Sequence, residues 1–292
     1  MPETVNKCLL CNAERSQLFD QRIFEGWVVE NRICLSCGFV FQSPRMTAAE
    51  TNDFYAAEYR KLYQGSSDPS PKDLAVQEQR ADFLAAFTKK HVKQVARVLD
   101  VGCSAGFLMQ AFNHTFGCNP VGIEPGNAYR DFAVKTKFKV YTTLQDMRAA
   151  SETRYDLISM VHVLEHIPDP LAYLVTLREQ YLSPDGYLLL EVPNLYIHDS
   201  FEVAHLSSFS SHSLRRMVTK AGFAVMVMEK HGRPRSSILP YYLTVLCCPA
   251  TKKAGSSQRP ERAVRFKRRM GLLYRRVMSR LFPAQTWKSF IE

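Results

Sequence analysis

The chain has 292 residues, of which 46% are hydrophobic and 23% charged, a balance that suits a globular protein larger than one minimal domain. No uninterrupted apolar stretch approaches the length needed to cross a bilayer, and the first residues lack the charged-then-apolar pattern of a signal sequence, so we expect a cytoplasmic protein. The formal net charge of +10 lies after residue 251, where twelve Lys or Arg stand against two Glu. A neutral body with a basic tail argues against a core that binds nucleic acid.

Two cysteine pairs stand near the beginning of the chain. Cys8 and Cys11 form one C-x2-C pair, and Cys34 and Cys37 form the second. In a cytoplasmic chain such cysteines favour metal binding over disulfides, and two pairs make a closed tetrahedral site of four sulfurs. We therefore predict a structural Zn²⁺ ion in a zinc-ribbon module over residues 1–43.

Residues 44–76 are predicted to be a helical connector and linker. Thr47 is a suitable N-cap for a helix, and aromatic residues recur on roughly one face of it: Phe54, Tyr55, Tyr59 and Tyr63. The following SSDPSPKD is rich in Ser, Pro and Asp, which is typical of a linker.

Residues 77–250 alternate between predicted strands and helices. After a helix near Val76–His91, the predicted strands are RVLDV, PVGIEP, FKVY, YDLISMV, GYLLLEV, FAVMVMEKH and YYLTVLCC. Helices are predicted after RVLDV, PVGIEP, YDLISMV and GYLLLEV, and this alternation predicts a doubly wound, Rossmann-like α/β sheet. The last two follow each other without a helix, which predicts an antiparallel strand at the edge of a mostly parallel sheet.

A glycine-rich turn follows the first of these strands. In VLDVGCSAG, Gly102 and Gly106 let the backbone approach a ligand, and the helix behind them supplies unpaired N–H groups. Such a turn could also cradle a dinucleotide or be only a tight loop, and Ser104 departs from the G-x-G-x-x-G pattern. Glu124 ends the next strand, where a carboxylate can accept both ribose hydroxyls of a nucleotide cofactor.

The sequence resembles class I S-adenosylmethionine-dependent methyltransferases. The resemblance rests on VLDVGCSAG, VGIEPG, YDLISMVHVLEHIPDP and LSPDGYLLLEVPN in that order, and it is strongest to ubiquinone-type O-methyltransferases and bacterial sugar methyltransferases. Relatives among the deoxysugar C-methyltransferases also carry an N-terminal zinc-binding domain. The resemblance implies S-adenosylmethionine as cofactor and assigns its site residues as follows: Asp100, Gly102, Ser104 and Gly106 around the methionine half, Glu124 at the ribose, and Thr143 and Leu144 at the adenine edge.

The expected activity is methylation of a small-molecule or glycan acceptor, including nucleotide- or lipid-linked sugars. An RNA methyltransferase and a catalytically idle, cofactor-binding partner protein remain as alternatives. Three histidines fall after strands, where ligands bind in this fold: His162, His166 and His205. His205 is the leading candidate for the base that deprotonates the acceptor, although it could instead order its loop. The spacing of His162 and His166 also fits H-x-x-E-H zinc peptidases, but those carry it on a long helix.

Residues 251–292 form a basic tail. Within residues 262–282 an apolar stripe opposes six arginines on a helical wheel; its members are Phe266, Met270, Leu273, Tyr274, Val277, Met278 and Leu281. This pattern is typical of a helix that lies on an anionic membrane, here the inner membrane surface. The alternative is that the stripe docks on the core and leaves the arginines in water. Contact with RNA is a third, less favoured reading.

Overall fold

The computed structural model describes residues 2–54, 68–135, 137–150, 154–199, 201–251 and 259–290. The predicted helix positions Tyr55, Tyr59 and Tyr63 lie outside these residues. The strands are β1 (Ser16–Phe24), β2 (Trp27–Cys34), β3 (Val40–Gln42), β4 (Arg97–Val101), β5 (Asn119–Ile123), β6 (Lys139–Tyr141), β7 (Tyr155–Val161), β8 (Leu182–Pro193), β9 (Ser207–Ser208), β10 (Phe223–His231) and β11 (Tyr242–Pro249). The helices are α1 (Ala48–Asp53), α2 (Pro71–His91), α3 (Phe107–Phe116), α4 (Asn127–Val134), α5 (Leu144–Ala150), α6 (Pro170–Thr176), α7 (Ser211–Lys220), α8 (Val264–Leu281) and α9 (Pro283–Thr286).

The main sheet has seven strands in the order β10-β11-β8-β7-β4-β5-β6. Strands β6, β5, β4, β7 and β8 run parallel, whereas β11 is antiparallel to both of its neighbours. The central strands are apolar and buried on both faces, as a parallel sheet between two helical layers requires. The predicted doubly wound, mostly parallel α/β fold with an antiparallel strand near the edge is therefore confirmed.

The strand order reverses between β4 and β7. The chain passes from β4 outward to β5 and β6, and then returns to form β7 on the other side of β4. Parallel sheets leave a crevice at the carboxyl ends of the strands where this reversal occurs. The glycine turn after β4 and the histidine-containing loop after β7 consequently lie on the same edge of the sheet.

A second sheet combines the N-terminal ribbon with a later segment. Its order is β1-β2-β3-β9, and β9 pairs with β3 through Val40 opposite Ser208 and Phe41 opposite Ser207. The ribbon residues Phe39 and Phe41 belong to the same buried cluster as the core of the main sheet. The module predicted over residues 1–43 is therefore packed into the larger domain and shares a sheet with it.

Two helix starts illustrate how capping residues set the boundaries. Thr47 caps α1 as predicted, in a capping box that it shares with Glu50. Helix α2, however, begins at Pro71, with the Ser70 hydroxyl accepting a hydrogen bond from the backbone of Asp73. Residues 71–75, which the sequence placed in the linker, are therefore helical.

The tail helix α8 docks through the side opposite to its apolar stripe. Arg268 is only 5% exposed, and Gly271 packs against the carbonyl of Tyr196 so closely that a Cβ atom would clash. Phe266 and Leu281 are 64% and 63% exposed. The expectation that the stripe docks on the core is therefore wrong: among the stripe residues only Met278 packs against a buried cluster. In the described part of the chain no helix is long and apolar enough to span a membrane.

Arginine chemistry explains this placement. The Arg268 guanidinium lies 4.0 Å from the ring centre of Phe201, pairs with Asp199, and donates to the carbonyls of Leu195 and His198. Its planar, many-donor head can satisfy buried carbonyls while its stem packs against apolar surface. A helical wheel that scores arginine as simply polar cannot anticipate this.

Candidate functional site

The glycine turn joins β4 to α3 through residues with positive φ. Gly102 and Gly106 have φ of +76° and +85°, and Ser104 between them has φ of +50°. A side chain at Gly102 would clash with Val163 of the loop after β7, so glycine is needed for the two loops to adjoin. No side chain caps the N-terminus of α3. Within the turn, the N–H groups of Gly102 and Cys103 both donate to the carbonyl of Ile123. The N–H groups that can bind a ligand are therefore those of the first turn of α3.

Glu124 is brought to this turn, as its position after β5 predicted. Its carboxylate accepts hydrogen bonds from the backbone N–H groups of Ser104 and Gly126, both at 2.9 Å. The side chain is almost fully buried. It therefore fixes the glycine turn against the end of β5 and places a negative charge beside Ser104.

Asp100, the fourth residue of β4, lies beneath the turn. Its side chain is buried and accepts a short hydrogen bond of 2.6 Å from the Ser159 hydroxyl. Burial, with a smaller contribution from the charge of Glu124, raises the pKa of Asp100 to about 7. The carboxyl group is thus poised to take up or release a proton near neutral pH.

Thr143 and Leu144 follow β6, the strand next to β5. The Thr143 hydroxyl donates to the Asp146 carboxylate at 2.8 Å and accepts from the Asp146 backbone N–H at 3.1 Å, so it acts as the N-cap of α5. Leu144 is the buried first residue of that helix. Both residues lie on the same sheet edge as Glu124, one strand away.

Helix α2 supplies residues that sequence reasoning did not single out. Asp73 accepts hydrogen bonds of 2.5 Å from the hydroxyl of Tyr129 and from the amide of Gln77. The Gln77 carbonyl accepts a hydrogen bond of 3.3 Å from the backbone of Ala105 within the glycine turn. The first turns of α2 therefore cover the glycine turn. The one available signal was Ser70-Pro71, a cap followed by proline at the first helical position.

The loop after β7 carries His162, which lies between two carboxylates. Its Nε2 is 3.1 Å from Glu191 Oε1, its Nδ1 is 3.4 Å from Glu165 Oε1, and its φ is +55°. Burial and the charge of Arg80 lower the pKa of His162, but the hydrogen bonds to the two carboxylates outweigh them and raise it. Both ring nitrogens consequently favour the protonated form, which disfavours His162 as a base.

Glu191 anchors this arrangement from β8. It is fully buried, lies 3.0 Å from Arg80 Nε and 3.2 Å from His231 Nε2, and accepts a hydrogen bond of 2.9 Å from the Thr244 hydroxyl. Burial alone would raise the pKa of Glu191, but its histidine and arginine partners lower it well below the usual range. The sequence did not single out Glu191 because its partners come from four separate segments of the chain.

His166, Glu165 and His205 form a second cluster on the same loop edge. One nitrogen or oxygen atom from each lies within 4.8 Å of the others, and the two imidazole rings are 4.8 Å apart. His166 Nδ1 is 2.9 Å from the carbonyl of Ala204, so it carries the proton and leaves Nε2 facing the cluster. Burial lowers the pKa of His166 to about 4, so the ring is neutral at pH 7.

Glu165 is ionised within that cluster. Burial opposes its charge, but contact with His162 and the charges of the nearby imidazoles lower the pKa of Glu165 to about 2. Within the described ranges, neither carboxylate oxygen accepts a hydrogen bond of normal geometry. An ionised, almost fully buried carboxylate beside two imidazoles can stabilise a proton that either ring accepts.

The four N-terminal cysteines converge at the base of the ribbon. The Sγ atoms of Cys8 and Cys37 are 3.6 Å apart, and those of Cys11 and Cys34 are 3.5 Å apart. All four Sγ atoms lie within 4.8 Å of one another. A tetrahedral zinc ion with bonds of about 2.3 Å requires sulfurs about 3.8 Å apart. The cluster therefore fits Zn²⁺, and with four sulfurs it leaves no open position for catalysis.

The ribbon also holds the segment that carries His205. Besides the β3–β9 pairing, the backbone N–H of Gln42 donates to the carbonyl of Leu206 at 2.9 Å. His205 thus lies between Glu165 on one side and β3 of the ribbon on the other, and its side chain is largely buried.

Comparison with known proteins identifies the domain that carries this site. A family described as a methyltransferase domain matches residues 74–227, which is more than half of the chain. The chain belongs to this methyltransferase family. The predicted family resemblance is therefore confirmed, and the matched methyltransferase domain contains the glycine turn, Glu124 and all three candidate histidines.

Curated relatives are named as methyltransferases as well, and solved structures share the fold. Ubiquinone biosynthesis O-methyltransferases are 32% identical over 109 residues in Haemophilus ducreyi (34% of this chain, 45% of the relative) and 31% identical over 144 residues in Cereibacter sphaeroides (47% and 56%). The chain thus spans about half the length of these curated relatives. The 1,6-didemethyltoxoflavin-N1-methyltransferase of Burkholderia thailandensis has the same fold, with a TM-score of 0.56 at 17% identity over 74% of this chain and 98% of that one. The PH0226 protein of Pyrococcus horikoshii gives a TM-score of 0.51 at 15% identity over 66% and 98%.

Proposed function

We propose that this methyltransferase transfers the methyl group of S-adenosylmethionine to a small-molecule acceptor. The observation that carries the proposal is the contact of the Glu124 carboxylate with Ser104, which places a carboxylate suited to ribose beside the glycine turn that leads into α3. The B. thailandensis neighbour is described with S-adenosylhomocysteine and 1,6-didemethyltoxoflavin bound. In this chain Asp100, Gly102, Ser104 and Gly106 would surround the methionine half, Glu124 the ribose, and Thr143 and Leu144 the adenine edge.

The histidine–carboxylate cluster lies where the acceptor would bind. Bound S-adenosylmethionine supplies an electrophilic methyl group on a sulfonium. The chain's own task is then to orient the acceptor and to take the proton that the acceptor loses as it gains the methyl group. We assign the proton to His205, with Glu165 stabilising the resulting imidazolium and His166 ordering the loop through Ala204. His162, whose nitrogens already face two carboxylates, holds the loop in place.

The acceptor class follows from the same cluster and from the relatives. Relatives of this chain are named ubiquinone biosynthesis O-methyltransferases, and an acceptor hydroxyl would need the base that we assign to His205. A glycan or a nucleotide- or lipid-linked sugar presents such hydroxyls as well, and remains within the proposal. The four-cysteine cluster is proposed to hold structural Zn²⁺. Peripheral contact of residues 262–282 with a membrane surface completes the proposal.

Two measurements test the methyltransferase assignment. Calorimetry should detect binding of S-adenosylhomocysteine, and incubation with a metabolite extract and S-adenosyl-[methyl-³H]methionine should label an acceptor. His205→Ala should keep the first signal and lose most of the second. A protein that binds the cofactor product but labels no acceptor in any extract would instead be an idle partner. Labelling confined to added RNA would favour the RNA methyltransferase alternative.

A further inference from the structure

The outward side of α8 is an apolar face without a partner in the described structure. At about 100° per residue, six residues fill an arc of about 100° opposite the docked side; they are Phe266, Met270, Leu273, Tyr274, Val277 and Leu281, and all are exposed. We refer to these six residues as the outer face. Phe282, which follows the helix, is exposed as well. Soluble surfaces carry apolar residues singly, and a contiguous group of this kind marks an interaction site.

A row of arginines borders the outer face along the whole helix. Arg269, Arg276 and Arg280 project within an adjacent arc of about 40° and are exposed, and none of them forms an ion pair with another described residue. Helix α8 contains no acidic residue. The surface beside the apolar face is therefore uniformly cationic, and the charge it fits is anionic.

The arginines of α8 thus divide into two groups with different tasks. Arg265, Arg268 and Arg275 contact the body: they donate to its backbone carbonyls and lie over the rings of Phe19, Phe201 and Tyr241. These contacts hold the helix in a fixed orientation. Because these three arginines already hold α8 against the body, Arg269, Arg276 and Arg280 and the outer face remain available to bind a second surface.

We propose that the outer face and its arginine row dock on an anionic membrane surface. The apolar side chains would lie at the level of the acyl chains and the arginines at the phosphates, the arrangement of a helix lying in the bilayer interface. A bilayer matches both features at once, whereas RNA would use the arginines and leave the apolar face in water.

The location of α8 relates this docking to the methyltransferase site, and in this respect the inference rests on the proposed function. The inner side of α8 contacts the carbonyls of Ile197 and His198. The ring of His198 lies 5.9 Å from that of Tyr242, which in turn lies 5.1 Å from His162. The rings of His198 and Tyr242 therefore connect the inner side of α8 to the loop after β7. Docking brings the acceptor side of the site to the bilayer, as an acceptor with a lipid anchor requires.

Sedimentation with vesicles tests the proposal on the full chain. The protein should pellet with phosphatidylglycerol vesicles at low salt, bind phosphatidylcholine vesicles far less, and lose binding as salt rises. The double variant Phe266→Asp/Val277→Asp should weaken binding at least tenfold, because two apolar anchors become charged. Changing Arg269, Arg276 and Arg280 each to Gln should weaken it about fivefold per residue. Val134→Asp makes the same kind of change at an exposed valine of α4, at the other end of the sheet, and should leave binding unchanged.

The readouts separate this inference from the proposed function. All variants should bind S-adenosylhomocysteine as tightly as the unmodified protein, which also shows that they are folded. Absence of vesicle binding at low salt, or binding that the outer-face variants leave intact, would overturn the docking proposal. So would retention on poly(U) RNA without retention on vesicles. Failure to bind S-adenosylhomocysteine would instead overturn the methyltransferase assignment, whatever the vesicles show.

Discussion

Replacing Glu124 by Gln tests the cofactor site at its best-defined contact. The carboxylate accepts one hydrogen bond from Ser104 and one from Gly126, and it is almost completely shielded from water. Glutamine keeps the size and one acceptor oxygen, but its NH₂ group must face one of the two backbone N–H donors. The variant thus loses one charge-assisted hydrogen bond at the turn and one acceptor for the ribose.

The expected cost follows from these contacts. A hydrogen bond to a charged group contributes about 1.5–3 kcal/mol, so the loss of the ribose contact should weaken S-adenosylhomocysteine binding by about tenfold to a hundredfold. The loss at the turn should lower the free energy of unfolding by a similar amount. Calorimetry well below the unfolding temperature measures the affinity, and urea unfolding measures the stability. Glu229→Gln, the same change at an exposed position of β10, should alter neither. A folded Glu124→Gln protein with undiminished affinity would refute the assignment of Glu124 to the ribose.

Three further predictions concern the base, the metal and a buried acid. His205→Ala should lower turnover by about 10²–10⁴-fold while S-adenosylhomocysteine affinity stays unchanged; if turnover survives, His205 only orders its loop. Elemental analysis should find one zinc per chain, and Cys37→Ser should release it; a metal-free native protein with four reactive thiols would contradict the site. Because burial raises the pKa of Asp100 to about 7, its folded-state carboxyl keeps a proton that the unfolded chain loses above about pH 4. The contribution of Asp100 to the free energy of unfolding should therefore fall as pH rises from about 4 to 7. Asp100→Asn should remove that decline, which is worth a few kcal/mol at most. Urea unfolding at a series of pH values measures it. If the free energy of unfolding changes with pH equally in both proteins, Asp100 is ionised throughout.

The sequence predicted the parts of the site whose signals are local. The turn at Gly102 and the carboxylate of Glu124 each end a short apolar strand, and parallel strands bring such ends together. The spacing within each cysteine pair likewise indicated that all four thiols would converge. In each case the residues that come together lie within a few positions of a strand or turn that the sequence itself identifies.

Features that depend on tertiary packing could not be read in the same way. The pairing of β3 with β9 places Phe41 opposite Ser207, 166 residues later in the sequence, and neither segment carries a signal that identifies its partner. The partners of Glu191 come from α2, the loop after β7, β10 and β11. For α8, the wheel showed an apolar and a basic side but not which side would be buried, because arginine can serve on either.

The ribbon and the methyltransferase domain share a sheet, so chemical damage to the ribbon cysteines should affect the domain as well. Thiolates react with oxidants and electrophiles when their metal is lost. Here Cys34 ends β2 and Cys37 lies in the turn before β3, the strand that holds the backbone next to His205. An oxidant or alkylating agent that never enters the cofactor crevice would therefore inactivate the protein at a distance, by releasing the segment that carries the proposed base. Protection by bound zinc, and recovery on reduction and resupply of the metal, would be the signature of such inactivation.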